Sequence, residues 1–350
     1  MANWVNDVMF GCKKPLAALF VLLTFGLGAH SAYAEELNIY SHRQEFLINP
    51  FLKAFTAQTG IETNVVFASK GLAERLEREG ENSPADVVLT VDIARLKVYQ
   101  EKGLFAKLSS DVLEQNIPAH LRDADGHWYA LSIRSRIIGV SKDRVMPGEL
   151  TRYEELADPK WKGRICSRPG SHVYNRSLVA SMIAAHGEAN AEEWARGVVA
   201  NFARKPQGND RAQAKAIYQG VCDVAIMNHY YYGKMLNSDQ AEQQDWANAI
   251  DIVFANQGEN DRGAHVNVSG GGVTRHSKNK ENATRLLEFL VSAEAQELYG
   301  TINYEYPVIP DAPIADALTI WGNFKADKLS IGELARLAPT AQKIIDRVGW

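Results

Sequence analysis

Short apolar runs rich in β-branched residues alternate, through the first third of the chain, with stretches whose apolar residues recur at helical spacing. Residues 37–40 (LNIY) predict a strand that runs into the polar turn Ser41-His42-Arg43-Gln44-Glu45. An amphipathic helix is expected over 46–58, stopped by Gly60, followed by a strand over 62–68. Next come a helix over 72–79 ended by Gly80, a buried strand over 85–91 and a helix over 93–102 closed by Gly103. Strands alternating with helices of this length predict a parallel sheet of βαβ units, whose ligands sit beyond the carboxyl ends of the strands. The turn after Tyr40 and the Thr90-Val91-Asp92 end both fall on that rim.

Residues 128–140 (WYALSIRSRIIGV) read as an extended connection into a second region. There the alternation resumes, with a helix around 153–157, the turn Trp161-Lys162-Gly163 and a strand over 164–167. A polar loop over 168–175 leads to helices including 177–186 and 191–202, a polar stretch over 204–211, and a helix over 212–218. Short strands are expected over 250–254 and 265–268, the second ending in Gly270-Gly271-Gly272. Helices over 280–291 and 293–299 precede a helical end from Leu329. No internal repeat, low-complexity tract or long linker interrupts the pattern.

The most unusual stretch is 221–235 (VCDVAIMNHYYYGKM), in which an apolar strand over 221–227 runs into His229-Tyr230-Tyr231-Tyr232. A buried phenol needs a partner for its hydroxyl. Neighbours on a strand point to opposite faces, whereas at a turn or helix start two successive side chains converge. The run therefore belongs at the mouth of a cleft. Two convergent phenols suit a trivalent hard cation, whose charge drives a coordinating group to ionise. A sugar- or aromatic-ligand platform and a Tyr-rich packing corner are the competing readings. Tyr174, between a predicted strand and a helix, is an ordinary loop tyrosine or a third phenolate in the same region. Arg134 and Arg136 could balance an anion or a phenolate, or form ordinary surface or inter-lobe ion pairs.

Lys13-Lys14, the apolar run 16–27 and Ala32-Tyr33-Ala34 make a secretory signal peptide, cleaved after Ala34. The apolar run is too short for a transmembrane anchor, and Cys12 precedes it, away from a lipoprotein cleavage position. The formal charge of −4 becomes −5 once a segment holding Lys13, Lys14 and Asp7 is removed, which excludes nucleic acid and anionic membranes as natural partners. A mature chain of this length predicts two lobes. Cys166 and Cys222 survive cleavage, and an even pair in an oxidising compartment predicts one disulfide, with two buried thiols as the alternative.

Catalytic signatures are absent: there is no G-x-S-x-G elbow, H-E-x-x-H helix, C-x-x-C pair or phosphate-binding loop. Gly270–Gly272 reads as a glycine-rich connecting loop, or as an anion-binding nest. Asp86 and Asp92 read as a turn residue and a helix cap, and His186 as a cap or surface residue.

Several motifs in order resemble the periplasmic ferric-iron-binding proteins of ABC importers: LNIYS (37–41), SPADVVLTVDIARL (83–96), IPAHLRD (117–123), YNRSLVAS (174–181), NHYYYG (228–233), GAHVNVSGGGV (263–273) and NYEYP (303–307). The resemblance covers essentially the whole mature chain. It implies an α/β, two-lobed periplasmic binding protein of the Venus-flytrap type, with doubly wound sheets and hinge strands near 132–138 and after Phe254. By its motifs Tyr230 and Tyr231 are iron ligands, Tyr174 a third, and Tyr232 a packing residue. The first-lobe ligand departs from the pattern: Gln44 and Glu45 stand where many relatives carry His or His-Tyr. His42, Glu45 or water is then left to complete the sphere, and His42 is the preferred candidate.

The expected lobes are 35–132 and 255–302 on one side and 133–254 on the other, with 303–350 returning to the second lobe. The expected function is capture of Fe3+, with or without a synergistic anion, and delivery to an ABC permease in the inner membrane by a monomeric protein. Competing functions are a receptor for a small organic solute or anion and, in another class, a secreted hydrolase with a non-local site.

Overall fold

The computed structural model describes residues 36–310 and 312–350. The expected signal peptide and its cleavage after Ala34 lie outside the described residues. Among those described, no helix is long and apolar enough to cross a membrane.

Eight strands form one connected sheet: β1 (Glu36–Ser41), β2 (Glu62–Phe67), β3 (Val87–Thr90), β4 (Tyr129–Ser141), β5 (Ile165–Cys166), β6 (Val224–Asn228), β7 (Ile250–Val253) and β8 (Val266–Val273). Their order is β2-β1-β3-β8-β4-β6-β5, with β7 also on β4. The parallel βαβ expectation holds for β1, β2 and β3, and β5 runs parallel to β6. The long strands β4 and β8 enter antiparallel and join the two groups.

β4 has 13 residues and changes partners midway. Its first half pairs with β8 as far as Ser135 opposite Val266. From Arg136 opposite Asn228 its second half pairs with β6, and from Ile138 with β7 as well. Arg134 and Arg136 flank that change, and strand alternation puts both on one face.

The helices follow their apolar spacing. Glu45–Thr59 buries Ile48, Phe51, Leu52 and Phe55, and stops at Gly60 with φ 74°. Such a left-handed residue ends a helix without steric penalty only when it is glycine. Asp92 caps the helix Ile93–Glu101 through Ala94 N, as expected, whereas Asp86 is a buried link and not a turn residue, accepting from Asn38 N and Ser277 Oγ. The helix Ile331–Val348 packs chiefly on Val173–His186, and also on Ile93–Glu101 and Glu188–Ala200.

Four expectations need correction. The helix expected from Ser177 begins at Val173, because His172 caps it through Tyr174 N and the Asn175 amide satisfies the preceding loop by donating to Ser167 Oγ and Arg168 O. Gly270–Gly272 is neither loop nor nest; the three glycines are buried within the second half of β8. A Cβ on Gly271 would come within 2.8 Å of Leu89 Cδ2 and 2.9 Å of Val88 O, so neighbouring strands pack where side chains would stand. The strand before the tyrosines starts at Val224 rather than Val221, which is 41% exposed. The turn Glu154–Ala157 is 3-10, and the helices Asp111–Asn116, Ala241–Asn248 and Asp316–Thr319 were not anticipated.

The expected disulfide is present: Cys166 of β5 is bonded to Cys222, just before β6, with the Cα atoms 5.9 Å apart.

Candidate metal centre

β6 ends at Asn228 and the helix His229–Leu236 begins on the next residue. Its first turn directs Tyr230 and Tyr231 to one side, their rings tilted with centroids 4.4 Å apart. Tyr232 points elsewhere, buried against Trp321, as a packing residue does. Tyr174 sits in the first turn of Val173–His186, so both helices present phenols from the same end, each just beyond a strand. The Tyr230 hydroxyl donates to the Tyr174 hydroxyl at 2.9 Å and accepts from Asn228 Nδ2 at 3.3 Å.

All three phenols line a cleft cavity of about 260 Å³. The cavity is also lined by His42, Arg43 and Gln44 from the turn after β1, by Phe46 from the helix that follows, and by Val91, Asn303 and Glu305. His42 therefore lines the same cavity as the phenols, but both its ring nitrogens are engaged: Nδ1 with Ala68 O at 2.8 Å and Nε2 with the Tyr99 hydroxyl at 3.0 Å. Burial, helped by nearby Arg95, pushes its pKa down to about 4, so the imidazole is neutral. Glu45 is exposed and does not line the cavity.

The setting is strongly cationic. Arg134, Arg136 and Arg168 hold their guanidiniums 5.5, 5.8 and 5.1 Å from the centre of the Tyr174 ring. Arg211 lies 5.4 Å from that of Tyr231. Arg134 and Arg136 are both 2% exposed, so neither is a surface residue. Arg134 donates to Val91 O and to Val268 O, tying the rim of β3 to β8. Burial pushes the Tyr230 phenol up, the neighbouring Tyr174 and Tyr231 push it further, and Arg134 opposes them. Tyr231 is raised by burial and by Tyr174. Without a cation, these two phenols keep their protons at neutral pH. Burial lowers Lys234 at the cleft edge to about 8.

Three participants are not singled out by the sequence as site residues. Arg43 is buried and forks onto Glu305 at 2.9 and 3.0 Å, a pairing across 262 residues. Glu305 also accepts from Ser132 and Ser269. Its carboxyl is pushed up by burial but held below the ordinary range by Arg43 and Arg134. Asp210 is wholly buried between Arg136 and Arg168. The NYEYP string that contains Glu305 was the available pointer, though it marks the segment without naming the partner.

The Tyr-lined cleft, set where a crossover strand joins two groups of strands, is the architecture of a solute receptor. A family model of bacterial extracellular solute-binding proteins matches residues 82–327, and the chain belongs to that family. Its members are transport proteins rather than enzymes. Iron uptake protein A1 of Synechocystis sp. is 45% identical over 317 residues, covering 90% of this chain and 88% of the relative. The solved Trichodesmium IdiA (FutA) structure, in complex with iron and citrate ligands, matches with a TM-score of 0.86 at 45% identity, covering 90% of this chain and 99% of that one. Apo ferric ion-binding protein A of Pasteurella haemolytica matches with a TM-score of 0.84 at 45% identity, over 90% and 98% of the two chains. The fold is the two-lobed binding-protein fold of these relatives.

Proposed function

We propose that this protein captures Fe3+ in the cleft through Tyr174, Tyr230 and Tyr231 as phenolates and hands the ion to an ABC permease. The observation that carries the proposal is the 2.9 Å between the Tyr174 and Tyr230 hydroxyl oxygens. Oxygen ligands about 2 Å from a small octahedral cation stand about 2.8 Å apart when adjacent. Those two oxygens are thus spaced as cis ligands, and Tyr231 stacks beside them.

Charge supports the same reading. A trivalent ion has no reason to enter a cleft ringed by arginines unless phenols ionise to meet it. Three phenolates neutralise Fe3+, and the surrounding guanidiniums then favour a small anion in the remaining positions. His42 reaches the ion only by giving up its bond to Tyr99, so its contribution is secondary to that of the tyrosines. Glu45 would have to turn in from solvent.

The lobes are assigned as 35–132 with 255–302, and 133–254 with 303–350, closing about the point where β4 exchanges β8 for β6. The protein is exported to the periplasm after cleavage at Ala34 and meets its inner-membrane permease as a monomer. The identities and folds of the iron-binding relatives support this assignment. Anomalous diffraction at the iron edge, from crystals grown with a ferric salt, is expected to place one iron about 2 Å from all three phenolate oxygens. An empty cleft, or an organic solute stacked on the tyrosines, would transfer the protein to the small-solute receptors.

A further inference from the structure

We propose that Asp210 is a positioning residue that sets the geometry of the phenol cluster from behind. The inference rests on the ferric reading of the cleft. Asp210 begins the helix Asp210–Tyr218 and is 0% exposed. Its Oδ2 accepts from Arg136 Nη1 at 2.7 Å and from the backbone N of Asn228 at 2.9 Å. Its Oδ1 accepts from Arg168 Nη1 at 3.0 Å.

Each of these bonds leads to a phenol. Asn228 is the last residue of β6, two positions before Tyr230, and its amide donates to the Tyr230 hydroxyl. Arg136 donates to Asn228 Oδ1 at 3.0 Å and to Asn175 Oδ1 at 2.6 Å, next to Tyr174. Arg136 and Arg168 both lie over the Tyr174 ring, and Arg211, the residue after Asp210, lies over the Tyr231 ring. One carboxylate thus fixes two guanidiniums and the end of a strand, which bear on Tyr174 and Tyr230, while the adjoining Arg211 covers Tyr231.

A second carboxylate between two arginines provides the control. Asp223 joins Arg144 and Arg164 at 2.5 and 2.7 Å, at the other end of β6 and outside the cleft. Asp210→Asn is expected to weaken ferric binding by about 10–100-fold, the usual cost of losing an outer partner of a metal ligand, and to shift the visible phenolate-to-iron band. Asp223→Asn is expected to lower thermal stability and leave the band where it is. If Asp210→Asn does not fold, Arg136→Lys asks the same question, because it keeps the charge but loses the forked contact.

A folded variant at Asp210 or Arg136 with the wild-type affinity and the wild-type band overturns the inference. A wild-type protein with no band overturns the ferric reading itself. Normal iron binding in the wild type with matching losses in the Asp210 and Asp223 variants reduces Asp210 to a stabilising residue and also overturns the inference.

Discussion

Tyr231 keeps its packing without its hydroxyl: the ring still stacks on Tyr230 and still lies under Arg211. Tyr231→Phe is therefore expected to fold with a near wild-type melting temperature and to lose more ferric affinity than the 10–100-fold typical of an outer partner. His42→Ala should cost about tenfold or less, because the imidazole is already bonded to Ala68 and Tyr99. Competition against a calibrated chelator measures both, and equal small losses would contradict the ligand assignment. At this scale the tyrosines were legible because three adjacent phenols fit poorly in a core and well at a strand end. Arg43, Glu305 and Asp210 were not legible. Each is a lone charged residue whose partner is distant in sequence, and no periodicity announces such a pair.

Among the elements, β8 departs furthest from local propensity. Glycine favours loops, yet here the absence of a Cβ lets β8 approach β3 and β4. Gly271→Ala is expected to destabilise by about 1–3 kcal/mol through overpacking against Leu89 and Val88. Urea denaturation reads this, and an unchanged midpoint would contradict the close-packing account. The disulfide acts on the elements that carry the phenols. Cys166 and Cys222 are 56 residues apart, and closing such a loop stabilises by about 4 kcal/mol on the chain-entropy model. Replacing both by alanine should cost about 2–4 kcal/mol, and no loss would mean that other contacts already hold β5 against β6. Most of the amphipathic helices were legible because their apolar stripes decide burial, though the helix expected over 191–202 starts at Glu188 and the one expected over 293–299 runs on to Asn303. Where tertiary packing overrides propensity, as at the glycine strand and the early start of the Tyr174 helix, local pattern misled.

For the molecule as a whole, several imidazoles are buried in neutral form. Burial lowers His42 and His229 to about 4 and His172 to about 3, below the ordinary 6.5. The unfolded chain binds those protons first, so their contribution to stability is complete above about pH 6.5 and declines as pH falls towards 4. Thermal melts should fall steadily as the pH is lowered from 6.5 to 4. A level or rising melting temperature across that window would contradict the buried neutral histidines. Iron binding should weaken in the same direction, because each phenolate ligand releases a proton on binding and recovers it in acid.

The two-lobed plan was legible from the alternation of strands and helices and from the resemblance of motifs along the mature chain. The single sheet that links the lobes through β4 and β8 was not, since pairing between strands remote in sequence leaves no local trace. The central claim is that phenolates hold ferric iron in that junction. Its most direct test is a visible absorption titration of the iron-stripped mature protein with a chelated ferric salt, beside the Tyr230→Phe/Tyr231→Phe double variant. The account predicts a red charge-transfer band that saturates at about one equivalent in the wild type and is missing in the double variant. No band in the wild type, or an undiminished band in the variant, would contradict it.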